Sequence, residues 1–597
     1  MPIIWFSKTH QALTLLLLAG ILSALGCRCV TRRADWQAPS IARPASKDLT
    51  TGKFSTPWEA AYAEAIQWDA ANEPCCIDYF YRAAVLAWPC VEYDIRNQTN
   101  LNQRAREVYD SSLIRLVKRA QCFGRFDPQK GLMIEMHDGV HTVPIELKGF
   151  PWRPLQIDEL VPVGTYETDD VTRFYASDGL GIPLVAVRKR RPDLPFQRQQ
   201  QQYSATMLLR PGHPAQPTFT LELVGTLNCS KTEINGMEVP VKRDLTAPIA
   251  YVLKDENDHY IRSFIQPGSN SENTGLFMIK PYQPGKIPVV FVHGLLSDRF
   301  TWANMANELR AHPDLVDRYQ ILGFEYSTGE PFLSSAAILR KQLTEFRLNY
   351  DPEECEPAMS EMVLIGHSMG GLVAKLQVSA CENQLWEAVS KVPFSQINMS
   401  PKVRAELGQA FFFEPVSTVS RVIYMGTPHR GSPWAKRPIG RFGSCMVEDT
   451  DETTRAHEQI VNDNPGAFTK EFSRRIPTSI DLLRPDSQLL LAMDRLPKNA
   501  CVPEHSIIGS WVPMVGAGDS DSVVPVNSAI RKGADSEFII HAKHTKLHHS
   551  DAGVREIIRI LRLHANQCSQ VSKGSIEIKP QEVLISPVDP VPNVGGQ

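Results

Sequence analysis

The chain has 597 residues, of which 43% are hydrophobic and 22% charged, with a formal net charge of −3 at neutral pH. That composition is ordinary for globular proteins and allows a sizeable core; at roughly 150 residues per domain, the length allows about four domains. Nothing in the charge balance favours a polyanionic partner, and no nucleic acid is expected to bind.

Lys8 and His10 precede a nearly unbroken apolar run from Ala12 to Gly26. A positive stretch followed by such a run has the form of a secretory leader and is short for a membrane span, which needs about 20 residues. The run ends in Ala24-Leu25-Gly26-Cys27. Small residues before a cysteine resemble the lipobox of bacterial lipoproteins, although Leu is usual where Ala24 stands. The resemblance implies lipidation of Cys27; a plain signal peptide or an uncleaved anchor is the alternative. Residues 1–27 are therefore expected to be a signal peptide or lipoprotein leader. The chain is expected to be exported to the cell envelope and to meet the membrane through Cys27. Of the 12 cysteines, two lie at this leader. Export permits disulfides, but spacing does not give their pairing. Most of the other cysteines are expected to be small buried apolar residues.

Residues 28 to about 55 read as a polar tether. From Trp58 to about Phe123, Ala60, Ala61, Ala63, Ala65, Tyr79, Ala83, Ala84, Ala87, Ala105, Tyr109, Leu113 and Leu116 recur at mixed three- and four-residue steps. This predicts paired antiparallel helices, similar to tetratricopeptide hairpins but without their period. Such a region could serve a protein partner. Between 131 and 285, Thr142–Leu147, Leu184–Val187 and Thr218–Leu223 read as strands punctuated by Pro and Gly, predicting a mostly β domain. Within it, Arg188-Lys189-Arg190-Arg191 reads as a solvated loop, and Gln199–Gln202 as another.

From residue 286 the pattern changes again. Ile287–Val292 is a continuous apolar run, as expected of a strand buried on both faces. Tyr319–Phe324, Met362–Ile365, Val422–Met425, Ser506–Ile508 and Phe538–His541 repeat it. Helical patterns at Trp302–Ala311, Ala336–Leu348, Leu372–Cys381 and Val554–Leu563 separate several of them. Alternation of this kind predicts a mostly parallel sheet with helices on both faces.

Met362–Ala374 is strand, then Gly366-His367-Ser368-Met369-Gly370, then helix. A G-x-S-x-G is informative only in that context: the serine must project from a sharp turn between a strand and a helix. Gly371 is expected to let the helix pack closely on the sheet. Gly366-His367-Ser368-Met369-Gly370-Gly371 resembles the nucleophile elbow of bacterial triacylglycerol lipases and esterases of the α/β-hydrolase superfamily. The resemblance extends over residues 286 to about 565. It implies an α/β-hydrolase fold, with Ser368 as nucleophile.

The remaining candidates come from the same resemblance. Val292-His293-Gly294-Leu295 is similar to the H-G turn of those lipases, which implies that Leu295 and Met369 supply the backbone N–H groups of an oxyanion hole. The acid and base should follow the serine in the order acid, then His. Gly518-Asp519-Ser520-Asp521-Ser522-Val523-Val524-Pro525 resembles the family's D-x-V-V-P loop, which usually has Gly where Ser522 stands. Asp521 is the expected acid and Asp519 the alternative. His544 matches an H-x-x-L pattern ahead of the final helix. It is the expected base, His548 the alternative, and His541 is read as still in its strand. His544 and His548 could ligate zinc on a helix, but no H-E-x-x-H accompanies them; no metal and no cofactor are expected. Tyr424–Pro433 resembles the family's T-P-H-x-G-S segment, with His429 as a wall or structural residue. Residues 382–420 and 433–500 read as cap insertions, and Phe411-Phe412-Phe413 as either acyl-site lining or core.

The expected organisation is thus a leader (1–27), a tether and helical region (28–130), a mostly β domain (131–285), an α/β-hydrolase domain with cap insertions (286–566) and a Pro-rich polar tail (567–597). The expected activity is hydrolysis of a carboxylic ester, with an ester or lipid as substrate. An acyltransferase with the same triad, or a scaffold carrying a vestigial hydrolase domain, are the alternatives.

Overall fold

The computed structural model describes residues 35–36, 55–253, 274–436 and 451–574, except for 152–155, 192, 198–199, 213–217, 296, 298, 515 and 517. The expected leader with Cys27, most of the tether and the tail beyond Gly574 lie outside the described residues. No helix among the described residues is long and apolar enough to cross a membrane.

Three helices open the described chain: α1 (Pro57–Ala70), α2 (Cys76–Asn97) and α3 (Gln103–Cys122). Thr56 caps α1 by accepting from the Glu59 N–H, with Pro57 at the first position, where its missing donor costs nothing. Buried Asp69 on α1 is gripped by Arg115 and Arg119 of α3. The helices pack on a sheet of five strands, β1 (Ile145–Lys148), β2 (Glu159–Pro162), β3 (Ile182–Arg188), β4 (Gln201–Pro211) and β5 (Phe219–Gly225), in the order β1-β5-β4-β3-β2. One apolar cluster runs from Trp58 and Phe80 through Leu113 to Leu184, Leu208 and Leu223, so helices and sheet share a core. Tyr109 of α3 fastens the two layers: its hydroxyl donates to the Leu209 carbonyl at 2.7 Å and accepts the Leu209 N–H at 2.8 Å.

Two expectations fail here. Gln201 and Gln202 belong to β4 and are buried, not a loop. Polarity alone misleads because the Gln201 amide is satisfied inside the protein, donating to the Met278 carbonyl. Arg188, read as solvated, ends β3 and is buried, while Lys189 and Arg190 are exposed. The cysteines depart from the expected burial: of the nine described, none of them in a disulfide, only Cys76 and Cys381 are buried.

After α4 (Ala247–Leu253) the chain builds a second sheet: β6 (Gly275–Met278), β7 (Ile287–Val292), β8 (Tyr319–Glu325), β9 (Met362–His367), β10 (Val419–Met425), β11 (Glu504–Gly509) and β12 (Ser536–Ile540). Their order is β6-β8-β7-β9-β10-β11-β12, with β6 antiparallel and the rest parallel. β7 and β9 are buried at every residue, which is why their sequences do not alternate. One face carries α6 (Phe332–Tyr350) and α7 (Met369–Lys375) in a cluster with Leu339, Leu343, Val290 and Leu364. The other carries α5 (Ala303–Arg310) and α10 (Asp551–Gly574), with Met305 and Ile557 against Phe291 and Ile365. Between α7 and α10 the insertions contribute α8 (Pro401–Phe411) and α9 (Gln488–Asp494). α7 is shorter than its apolar pattern suggested, and α10 runs past residue 566.

The connection between β2 and β3 docks on the second sheet's α5 through polar side chains of that helix. Asn304 accepts the Thr172 N–H at 2.7 Å, Asn307 donates to the Arg173 carbonyl at 2.8 Å, and Glu308 accepts from Tyr175 at 2.7 Å. All three side chains are buried on a helix that shows only an amphipathic pattern in sequence.

Candidate active site

The expected site residues gather at the C-terminal edge of the parallel strands, where open α/β sheets leave a crevice between loops. Ser368 follows β9 directly. Its backbone has φ 55° and ψ −126°, a region L residues seldom occupy, and its N–H is tied to the Met425 carbonyl of β10 at 2.8 Å. The strain is held by packing: a Cβ on Gly371 would run into the Thr427 side chain, so only glycine lets the helix come this close. Ser368 is 8% exposed.

The turn after β7 abuts the serine. A Cβ on Gly294 would stand 2.9 Å from the Ser368 Cβ. His293 is locked in place by Tyr326: the rings stack at 4.4 Å, the Tyr326 hydroxyl donates to the His293 carbonyl at 2.7 Å, and the Tyr326 N–H donates to His293 Nε2 at 3.3 Å. Nδ1–H then faces the Gly294 carbonyl at 3.1 Å. This leaves Leu295 next in the turn, while Met369 opens α7, where first-turn N–H groups have no intrahelical acceptor.

Asp521 is 1% exposed and lies in the loop after β11. Its Oδ1 accepts the N–H groups of Val523 and Val524 at 2.9 and 2.6 Å, and its Oδ2 meets His544 Nδ1 at 2.6 Å. The His544 N–H also donates to the Asp521 carbonyl at 2.8 Å. The carboxylate thus fixes both the ring and the backbone of His544. Asp519 is exposed, in a hairpin paired with Pro513, and is not part of this arrangement. His541 lies past the end of β12, which stops at Ile540, rather than within it.

His548 is buried with its ring 4.9 Å from His367 and 5.9 Å from Trp302. Burial holds it well below the ordinary histidine range, so it is neutral packing. His429 is fully buried beside Tyr424, ring centroids 4.8 Å apart, and burial again keeps it well below its usual range. Its neighbours in the same segment hold the acid loop: Arg430 bonds the Asn527 and Ile530 carbonyls, and Ser432 donates to the Val523 carbonyl. Phe411 and Phe413 are buried core, with Phe411 edge-on to Trp386 at 5.4 Å.

Sequence reasoning missed His367. Its Nε2 lies 3.0 Å from the His544 carbonyl, and its ring 4.8 Å from that of His544. It stands inside the serine motif, yet its partner is far away in sequence. It also missed Lys375, a fully buried lysine on α7 that donates to the Met493 carbonyl of α9 at 2.9 Å and lies 3.9 Å from Asp494. Burial pushes Lys375 down to about 7.

Residues 289–559 match the alpha/beta hydrolase family. This part of the chain has the α/β-hydrolase fold. No curated protein matches the chain. Among solved structures, it is similar to the mature lipase BlEst2 of Bacillus licheniformis (15% identity over 48% of this chain and 97% of the other, TM-score 0.29). It is also similar to the Staphylococcus hyicus lipase (12%, 50% and 99%, TM-score 0.30) and to EstA of Clostridium botulinum (12%, 49% and 88%, TM-score 0.29). The α/β-hydrolase segment follows an N-terminal portion of helices and β-sheet that precedes the family match.

Proposed function

We propose that the chain is an exported serine hydrolase that cleaves carboxylic esters through Ser368, His544 and Asp521. The observation that carries this reading is the 2.6 Å contact between Asp521 Oδ2 and His544 Nδ1, at the sheet edge where Ser368 occupies its strained turn. With Nδ1–H committed to Asp521, His544 Nε2 is left with a lone pair to take the Ser368 proton. Ser368 Oγ bonds to the acyl carbon, and the carbonyl oxygen becomes an oxyanion facing the N–H groups of Leu295 and Met369. A donor of that kind is worth about 2.7–4 kcal/mol in the transition state. His544 then protonates the departing alcohol, and water, activated in the same way, releases the acid.

The substrate class, a small ester or a lipid, is supported by the lipase-like motifs around Ser368, Gly294 and Thr427. The experiment is fluorophosphonate labelling and hydrolysis of a graded series of p-nitrophenyl esters, wild type beside Ser368→Ala. Labelling and turnover that both vanish in the variant support the reading; folded wild type that neither labels nor hydrolyses any ester overturns it. Export and anchoring rest on residues 8–27 alone. Metabolic labelling with a palmitate analogue should mark the wild type and fail with Cys27→Ser.

A further inference from the structure

At the opposite end of the sheet from Ser368, three different metal-binding side chains converge. Glu361 stands immediately before β9, and His564 and Cys568 are one turn apart on α10. Their donor atoms all lie within 4.8 Å of one another, and His564 Nε2 is 3.5 Å from Glu361 Oε2 and 3.6 Å from Cys568 Sγ. A tetrahedral zinc with bonds of about 2.0 Å to nitrogen and oxygen and 2.3 Å to sulfur holds those atoms about 3.3 Å (N to O) and 3.5 Å (N to S) apart. The two separations from His564 Nε2 already have that size.

The state of His564 follows from its neighbours. The Tyr319 hydroxyl spends its proton on the Leu561 carbonyl at 2.7 Å, so His564 Nδ1, 3.0 Å from the same oxygen, must donate to it. The lone pair is then on Nε2, directed at Glu361, Cys568 and the Ser420 hydroxyl 3.0 Å away. A buried imidazole with one N–H held by an oxygen and the other nitrogen facing a thiol and a carboxylate has the arrangement of a metal ligand with its outer support. Mixed sulfur, nitrogen and oxygen donors suit zinc over calcium or magnesium. A thiolate and a carboxylate would neutralise the dication, so the loaded site would carry no net charge beside Arg421 and Arg318.

We propose that Glu361, His564 and Cys568 form a structural zinc site that ties α10 to the entry of β9, with the Ser420 side at the fourth position. The site is independent of the ester-hydrolase reading. Full-length protein, stripped with a chelator and dialysed, is titrated with Co2+ and then Zn2+. Expected are a thiolate-to-cobalt charge-transfer band that zinc displaces and a Tm that rises with zinc. Cys568→Ser should lose the band, and Glu361→Gln should bind zinc about tenfold or more weakly, each with the circular dichroism of metal-free wild type. Because other cysteines can bind cobalt, the difference between wild type and Cys568→Ser is what counts. No band in wild type, or band and Tm rise unchanged in Cys568→Ser, overturns the proposal. If Cys568→Ser does not fold, zinc affinity unchanged in Glu361→Gln overturns it.

Discussion

His367 donates its Nε2–H to the backbone carbonyl of His544 at 3.0 Å. The direction is unambiguous, because a carbonyl only accepts and burial pushes His367 down to about 3, leaving it neutral with one proton. The residue before the serine therefore holds the loop that carries the histidine, while Asp521 holds the same loop from the other side. The residue that precedes Ser368 is thereby tied to the backbone of His544, and Asp521 to both its ring and its backbone.

Removing that donor should misplace His544 without touching substrate. His367→Phe keeps the ring and loses the hydrogen bond, and kcat should fall about tenfold to a hundredfold, on the scale of a misplacement near 1 Å, with KM nearly constant. Steady-state kinetics on a soluble ester checks this, and an unchanged kcat removes the positioning role.

Ser368 is strained as well as proposed to be reactive. Ser368→Ala should lower kcat on the order of 10⁴-fold or more. Ser368→Gly should be equally inactive yet more stable by about 1 kcal/mol, since glycine accepts this backbone without penalty. Denaturant unfolding of the three proteins tests the pairing of lost activity with gained stability.

The two acids of the loop should separate cleanly. Asp521→Asn should cost roughly 10⁴-fold in kcat, because an amide imposes the wrong tautomer on His544. Asp519→Asn, exposed and outside the arrangement, should stay close to wild type. Equal effects at the two positions would place the acid wrongly.

Acid should destabilise the fold earlier than carboxylates alone would cause. Burial pushes His367 down to about 3 and His505 to about 4, whereas an unfolded histidine titrates near 6.5. Between those values the unfolded chain binds protons the folded chain does not, so stability falls as pH falls. The contribution of the two is complete above about pH 6.5 and declines below it, each by about 1.4 kcal/mol per pH unit. Urea unfolding from pH 7 to 5 should show the slope, reduced in a His505→Asn variant.

Ser522 stands at φ 84° in the acid loop, a backbone that favours glycine. Ser522→Gly should raise Tm, gaining roughly 1 kcal/mol by relieving the left-handed backbone. A lower Tm would mean that the serine side chain supports the loop.

Much of the hydrolase half was legible because its signals are local. Ile287–Val292 is observed as β7 with the predicted limits, since burial on both faces demands an unbroken apolar run. Gly366-His367-Ser368-Met369-Gly370 carries its turn in its own glycines. Gln201, Asn304, Asn307 and Glu308 were illegible for the converse reason: a polar residue is recognised as buried only when its partner, on another element, is known.

The sequence by itself determined the strand–turn–helix around Ser368, the glycine turn after β7 and a short list of acids and histidines. Only the tertiary structure decided among them. Asp521 rather than Asp519, and His544 rather than His541 or His548, are brought together because the loops after β9, β11 and β12 converge at one sheet edge. A period along the chain records which face a residue turns to its own element. It does not record which loops meet, because that is set by strand order.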